Sequence, residues 1–170
     1  MLLISCSSQD EEAENRGLDQ VSKDWIILSV PSSWQEISPA SLPIPNAGEV
    51  VFASESTQER GGYFNNLVVL KEENDNSSSS ESLVKENISF LKQNMRSFSL
   101  LEEKNISFTD GWTGIILLFS GKYNVQTPEV IYLQTARSCP NWDFLLTLSI
   151  WEKQESYEQY EYILQTLSCS

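Results

Sequence analysis

Alternating and continuous runs of apolar residues predict a series of β-strands along this chain. The clearest alternation lies in the predicted strand 142–151, where one face carries Trp142, Phe144, Leu146, Leu148 and Ile150. Residues 115–119 are apolar on both faces, which is typical of a central strand covered from both sides. The remaining predicted strands are 25–30, 34–37, 50–53, 67–70, 98–108, 112–120 and 130–135.

Two segments have apolar residues at helical spacing instead. The first stripe consists of Val84, Ile88, Leu91 and Met95, and the second of Tyr157, Tyr160, Ile163, Leu164 and Leu167. Ser78 with Glu81, and Ser156 with Gln159, have the spacing of capping boxes at the two helix starts. Gly61 and Gly62 mark a turn between two strands. We therefore predict one α+β domain in which an antiparallel sheet is sandwiched between two helices.

Composition fits a single globular domain and narrows the classes of function. The chain has 170 residues, of which 40% are hydrophobic, and its 24 acidic and 11 basic residues give a net charge of -13. Such a surface repels nucleic acids and anionic lipid headgroups, so we expect no nucleic-acid partner. The absence of histidine removes the commonest general base and every imidazole zinc site. We expect a non-enzyme without cofactor or metal, and an enzyme that uses only carboxylates is the third alternative.

The chain starts with a short apolar run that ends in Leu-Ile-Ser-Cys, and this ending resembles the lipobox of bacterial lipoproteins. The resemblance implies that Cys6 carries a diacylglyceryl group. Only the tail of a signal-peptide apolar region is present, and the alternative is a chance cysteine in a hydrophobic N-terminus. We expect residues 1–5 to be the signal-peptide remnant, 6–23 a flexible acidic tether and 24–170 the domain. The protein would then be lipid-anchored in a bacterial cell envelope, at the outer membrane or the periplasmic face.

If Cys6 is lipidated, Cys139 and Cys169 are the two cysteines that remain. An even number of cysteines outside the cytoplasm favours a disulfide between them. The strand after Cys139 runs about 33 Å away at roughly 3.3 Å per residue. The last helix returns about 16 Å at 1.5 Å per residue. A gap of roughly 10 Å remains after the terminal residues, which loop tilt would have to close. The alternative is two unrelated thiols.

Three groups of residues are candidate sites. Trp34, together with Pro39, Pro43 and Pro45, is the preferred partner-facing surface, because an aromatic residue beside a stiff loop is costly to keep exposed without a use. Residues 72–76 offer oxygen ligands for calcium but lack the spacing and glycine of an EF-hand, so a solvated loop is favoured. Glu102 and Glu103 should face opposite sides of a strand, which argues against a catalytic pair.

The order of elements resembles the PsbP-like family, which includes the extrinsic photosystem II subunit, a Ran-binding nuclear transport factor and many bacterial lipoproteins. The likeness spans about 24–169, and the residues that carry it are 30–34 (Val-Pro-Ser-Ser-Trp), 66–70 (Asn-Leu-Val-Val-Leu) and 157–167. It implies a non-catalytic binding or assembly factor. We therefore expect a monomeric accessory factor that binds an unidentified envelope protein. The alternative is a carrier of a lipid or another apolar ligand in an aromatic pocket.

Overall fold

The computed structural model describes residues 13, 16–23, 25–43, 45, 47–74, 79–151 and 156–170. Cys6 and the predicted signal-peptide remnant lie outside these residues. Two helices are α1 (Ser80–Asn94) and α2 (Glu158–Gln165), and a 3-10 turn covers Pro39–Ser41. The strands are β1 (Leu18–Lys23), β2 (Ile26–Pro31), β3 (Trp34–Glu36), β4 (Glu49–Arg60), β5 (Tyr63–Glu73), β6 (Arg96–Ser107), β7 (Thr113–Lys122), β8 (Val130–Ser138), β9 (Trp142–Ile150) and β10 (Ser168–Cys169).

Seven strands form one antiparallel sheet in the order β3-β4-β5-β9-β8-β7-β6. Its two halves are a β4–β5 hairpin and a meander from β6 to β9. Strand β9 joins them by pairing with β5 over eight residues, with Leu146 opposite Val69. A second, three-stranded sheet has the order β1-β2-β10.

Each face of the large sheet buries its own apolar cluster, because side chains alternate between faces along every strand. On one face, called the α1 face, helix α1 packs Val84, Ile88 and Leu91 against a cluster that includes Leu117 and Phe119. On the opposite face, called the α2 face, α2 and strand β2 share a cluster with alternate residues of β9. The members of that cluster from β9 are Phe144, Leu146, Leu148 and Ile150, as the alternation predicted. The fold is thus mostly antiparallel sheet with two helices.

The layer on the α2 face contains more than the predicted helix. The three-stranded sheet lies there together with α2, and β2 supplies Ile26, Leu28 and Val30 to the core. A 170-residue chain with one eight-residue helix on this face needs additional cover, which β2 and its neighbours provide. Helices alone therefore do not form both outer layers.

Strand β1 corrects the predicted boundary of the tether. Residues 18–23 were assigned to the flexible segment 6–23, yet they pair with β2 along their whole length. Leu18 and Val21 pack against the core, whereas the intervening side chains face solvent. Two apolar residues among acidic and polar ones are a weak strand pattern, and the backbone hydrogen bonds to β2 decide the conformation.

Both predicted helix caps are also shifted. Ser79 is the N-cap of α1, and its Oγ accepts a hydrogen bond from the Ser82 N–H at 3.1 Å. Tyr157 is the N-cap of α2, and Ser156 instead accepts from the Glu158 N–H at 3.3 Å. Neighbouring serines can each cap the free N–H groups of the first helical turn. In a run of serines, tertiary packing therefore decides at which residue the helix begins.

A disulfide joins Cys139 to Cys169, whose Cα atoms are 5.8 Å apart. The C-terminal strand β10 reaches this position by pairing with Ile26 and Ile27 of β2, a pairing that the linear reach estimate did not include. Strand β7, predicted to be central, is buried on both faces but lies second from the sheet edge. None of the helices among the described residues is long and apolar enough to cross a membrane.

Candidate functional site

The predicted partner surface around Trp34 does not have the expected geometry. Trp34 is half-buried and packs against the core of the α2 face, where it holds the short edge strand β3. Pro39 starts the 3-10 turn and, like Pro43, is exposed, while Pro45 is half-buried. Trp34 therefore leaves only part of its indole exposed beside these prolines, and the partner surface stays a prediction. A side chain that contributes its area to the core needs no partner to explain it.

A different concave feature lies at the end of the sheet where α1 begins and the β6–β7 hairpin turns. This feature, called the α1 groove, has a volume of about 810 Å³. That is within the roughly 300–1,000 Å³ typical of ligand sites. Its lining residues are Asn74, Ser79, Ser80, Glu81, Asn105, Ile106, Ser107, Trp112, Thr113, Gly114, Ile115 and Ser138.

The first wall is the start of α1, and serine hydroxyls attach it to the sheet. The Ser138 N–H donates to Ser80 Oγ at 2.9 Å, and the two hydroxyls are 3.1 Å apart. Beside them, Asn74 Nδ2 donates to the Cys139 carbonyl at 3.1 Å. Cys139 is in turn held by the disulfide. This end of the groove is therefore cross-linked by side-chain hydrogen bonds and one covalent bond.

The second wall is formed by the ends of β6 and β7. Ile106 is buried in the core of the α2 face, so alternation places Asn105 and Ser107 on the α1 face. Ile115 belongs to the core of the α1 face. Thr113, two residues earlier on the same strand, therefore lies on the α1 face as well. The groove is consequently lined by side chains from the same face that α1 covers further along the sheet.

Trp112 lies at the turn of the β6–β7 hairpin, and its ring packs against the buried guanidinium of Arg137. The guanidinium of Arg137, which is only 5% exposed, lies 4.6 Å from the centroid of the Trp112 ring. Arg137 Nη2 donates to Asp110 Oδ2 at 2.6 Å, and Asp110 Oδ1 accepts from the Trp112 N–H at 3.2 Å. Trp112 is nevertheless 54% exposed. One face of the indole rests on the cation. Because Arg137 and Phe108 both lie on the α2 face, so does the ring, and its remaining surface is exposed to solvent.

Two opposing effects act on the pKa of the Arg137 guanidinium. Burial lowers the pKa of Arg137, and the neighbouring Asp110 opposes that shift. Nε and Nη1 of Arg137 have no hydrogen-bond partner among the described residues. The guanidinium is also 5.3 Å from the centroid of the Phe108 ring, so it lies between two aromatic side chains. Cation–π contacts of a desolvated arginine contribute up to about 2 kcal/mol each.

The chemistry of the groove suits binding. Eight of its twelve lining residues have polar side chains, and Glu81 is the one ionisable side chain among them. The Glu81 carboxylate accepts a hydrogen bond from Lys85 at 2.6 Å, and among the described residues no lining hydroxyl is hydrogen-bonded to it, as an activated nucleophile would be. Glu103, on the same strand as Asn105, pairs with Lys85 of α1 at 3.3 Å. Lys104 pairs with Glu161 of α2, so adjacent residues of β6 do face opposite sides.

The possible calcium cluster at 72–76 is only partly described, because residues 75 and 76 lie outside the described part of the chain. Within the described ranges, no group of three or more Cys, Asp or Glu side chains could hold a metal ion.

Sequence reasoning missed this site for a clear reason. Trp112 was assigned to a predicted strand, and its support, Arg137, lies 25 residues further along the chain. The local signal was the Asp110–Gly111 pair, which is typical of a turn. Gly111 has a φ of 85°, so the chain does turn immediately before Trp112.

Comparisons with known proteins identify the fold. No protein-family model matches the sequence, and no curated protein matches it significantly. The structure is similar to the solution structure of cyanobacterial PsbP from Synechocystis sp. PCC 6803, with a TM-score of 0.62 and 13% identity over 91% of this chain and 94% of that one. A point mutant of Mog1 aligns with a TM-score of 0.59 and 10% identity over 89% and 95% of the two chains.

A third similar structure is that of a Pseudomonas aeruginosa protein of unknown function, with a TM-score of 0.53 and 11% identity over 88% and 94% of the two chains. The chain therefore has the fold shared by PsbP and Mog1, as its pattern of elements predicted. Identities at this level show the fold alone, so the function has to be argued from the site.

Proposed function

From this fold and its open polar groove, we propose that the chain is a membrane-tethered, non-catalytic lipoprotein that acts as an accessory factor in the cell envelope. The tether is the lipid on Cys6, and the α1 groove is the surface that recognises a partner. The observation that carries the proposal is the groove itself, which is concave and rich in hydrogen-bonding side chains but offers no reactive pair among its lining residues.

Rigidity supports a recognition role. The start of α1 is bonded to the end of β8, and the indole of Trp112 is held by a buried ion pair. Preorganised side chains lose little conformational entropy when a partner binds, which improves affinity for a given contact area.

The carrier alternative has less support in the packing. An apolar ligand held between helix and sheet would need an empty space there, yet Val84, Ile88 and Leu91 fill that layer against Phe119. The α1 groove is instead lined mainly by hydroxyl and amide groups. Removing such groups from water to bind a hydrocarbon chain costs about 1–3 kcal/mol for each unsatisfied group. The polar groove therefore favours a polar partner.

The recognition role can be tested by site-specific photo-crosslinking of the full-length protein in its native membranes. Benzoylphenylalanine replaces Thr113 at the groove rim, and, as the control, Val125, which is 69% exposed in the β7–β8 loop and does not line the groove. We expect one discrete protein adduct from position 113, absent from position 125 and reduced by Asn105→Ala, because Asn105 lies on the same groove wall as Thr113. Identical adducts from both positions, or lipid without protein, would contradict the proposal.

The tether is tested separately. Cys6→Ala removes the only proposed lipid site, so we expect the protein to leave the membrane fraction while its thermal unfolding stays unchanged. Cys139 and Cys169 form a disulfide and serve as the internal check that the domain has folded. Retention of the Cys6→Ala protein in washed membranes would show that the lipid anchor is not what holds it there.

A further inference from the structure

We propose that the outer edge of strand β6 pairs with an extended, basic peptide segment of the envelope partner, which adds a strand to the large sheet. This inference rests on the proposed function, because it names the chemistry of the partner that the α1 groove recognises. Strand addition satisfies the free backbone groups of a sheet edge, and the side chains beside the edge determine which peptide is accepted.

The two edges of the large sheet differ in how they are protected. Natural proteins protect edge strands by making them short, by β-bulges, or by charged and proline residues. At one edge β3 has only three residues, whereas β6 at the other edge has 12. In the described part of the chain β6 pairs with β7 alone, so its outer backbone groups have no strand partner there. The β6 edge is therefore the one that can accept another strand.

The second half of β6 is the part that can pair. Its register with β7 shifts between Arg96 and Ser99 and again between Leu100 and Glu102, and such bulges discourage pairing in the first half. From Glu102 to Ser107, six consecutive residues pair with β7 without a shift, and none of them is proline. Hydrogen bonds to one neighbour alternate along an antiparallel strand, so about half of the backbone groups in this stretch point outward.

The side chains of this stretch leave the edge open. Lys104 belongs to the residue type that most often protects an edge, but its ammonium group forms an ion pair with Glu161 of α2. This contact holds the lysine on the α2 face. Ile106 is buried in the core of that face, and Asn105 and Ser107 are exposed on the other.

The α1 groove lies beside the same stretch. Asn105 and Ser107 are part of its wall, and neither side chain forms a hydrogen bond with another described residue. Directly opposite residues of an antiparallel pair have Cβ atoms about 4.5–5.5 Å apart. Alternate side chains of an added strand would therefore lie on the α1 face, within reach of this amide and this hydroxyl. Both groups can donate and accept hydrogen bonds, so they suit polar side chains of the peptide.

Charge selects a basic peptide. Lys85 of α1 lies between two carboxylates, 2.6 Å from Glu81 and 3.3 Å from Glu103, so this cluster keeps a negative charge. Glu102, on the opposite face of β6, is exposed and forms no ion pair with a described residue. The whole chain has a net charge of -13. An acidic peptide or a second copy of the chain would be repelled, whereas lysine or arginine beside Glu102 and Glu103 is attracted.

The test is a binding titration of the full-length protein, purified in a non-ionic detergent, with fluorescein-labelled decapeptides. The basic probe alternates lysine with threonine or valine, and a second peptide has glutamate at every lysine position. A third peptide is the basic probe with N-methyl groups on two adjacent central residues. It keeps the charge but loses a donor whichever of its edges faces β6.

Two charge reversals locate the site. Glu102→Lys changes the β6 edge, and Glu59→Lys is the matched control on β4, in the other half of the sheet. Both glutamates are exposed and lack an ion pair among the described residues, and both substitutions change the net charge equally. Amide hydrogen exchange over residues 98–108, measured with and without the basic probe, reports whether a strand has been added.

We expect the basic probe to bind and to slow hydrogen exchange at residues 102–107, because strand addition protects N–H groups that point outward. N-methylation should weaken binding about tenfold through the lost hydrogen bond and the added methyl groups. Glu102→Lys should weaken it about fivefold, and Glu59→Lys should stay within about twofold of the wild type. The glutamate peptide should not bind.

The outcomes separate this inference from the proposed function. If the basic probe does not bind at millimolar concentration while the crosslink from position 113 to a protein persists, the strand inference is wrong and the accessory role stands. If neither a crosslink nor peptide binding is found, both proposals fail.

Three further results would overturn the strand inference alone. Binding that survives N-methylation without slowed exchange at residues 102–107 would be general charge attraction. Equal effects of Glu102→Lys and Glu59→Lys would mean that the peptide binds elsewhere. A doubled mass in sedimentation, with slowed exchange at residues 102–107 in the absence of peptide, would mean that a second copy of the chain occupies the edge.

Discussion

The turn between β4 and β5 contains two adjacent glycines that allow packing and backbone strain to be measured apart. Gly61 and Gly62 both have positive φ, at 59° and 81°. A methyl group on Gly61 would overlap the indole of Trp151, whereas one on Gly62 would meet no atom within 4 Å. The two positions therefore share the conformational cost of alanine and differ in the steric cost.

The magnitudes follow from that difference. Alanine in the left-handed region costs about 1–2 kcal/mol at either position. Forcing the indole away from Gly61 adds about 1–3 kcal/mol, the usual cost of overpacking. Trp151 cannot move freely, because its backbone N–H donates to Asn65 Oδ1 at 2.9 Å and its ring packs against the core of the α1 face. We expect Gly61→Ala to lower the free energy of unfolding by about 2–5 kcal/mol and Gly62→Ala by about 1–2 kcal/mol.

The assay is equilibrium unfolding in urea at 25 °C with the disulfide intact, monitored by circular dichroism. A double-mutant cycle with Trp151→Ala isolates the steric term, since removal of the indole should bring the cost of Gly61→Ala close to that of Gly62→Ala. Equal losses at the two glycines, or a Gly61→Ala cost that persists without the indole, would refute the assignment of the extra loss to Trp151.

Three further predictions concern other parts of the fold. Replacing both Cys139 and Cys169 by alanine removes a crosslink between residues 30 positions apart in the sequence. Because the unfolded chain then gains entropy, the free energy of unfolding should fall by about 3.6 kcal/mol. A loss below ~1 kcal/mol in urea titrations would contradict this argument. Ser97 has a φ of 54°, a conformation that strains a serine but not a glycine. Ser97→Gly should therefore raise the free energy of unfolding by roughly 0.5–1 kcal/mol and the urea midpoint with it. A lower midpoint would show that the serine is not strained. Burial raises the pKa of Tyr132, so its contribution to stability is complete below the unfolded-state pKa of about 10 and is lost as pH rises above it. Tyr132→Phe should therefore move the alkaline loss of stability to higher pH in unfolding curves measured between pH 8 and 12, and an unchanged pH dependence would mean that another group controls it.

The support of Trp112 connects these stability arguments with the proposed function. Arg137 is buried, and two of its donor atoms have no partner in the described part of the chain, where Asp110 and two aromatic rings offset its desolvation. Retaining a buried arginine is expensive compared with an apolar residue of similar volume. The arrangement fixes the end of the β6–β7 hairpin, which also carries the groove residues Ser107 and Thr113.

The local pattern of this sequence was enough to predict the strands of the large sheet and the two helices. The alternation from Trp142 to Ile150 and the helical stripe from Val84 to Met95 each repeat over several turns or residue pairs, and such periodicity survives in any tertiary context that provides one apolar face. The order of these elements then led to the PsbP-like resemblance, which the structural comparisons confirm as a fold.

Tertiary structure decided the features that depend on contacts between distant segments. Strand β1 has too few apolar residues to be recognised, and it forms because β2 offers unpaired backbone groups along its edge. The half-burial of Trp34 and the meeting of Ser80, Trp112 and Ser138 in one groove depend on residues far apart in the chain. Periodicity reports which face of an element is apolar but carries no information on what covers that face, so only the assembled fold places the groove and packs part of Trp34 against the core.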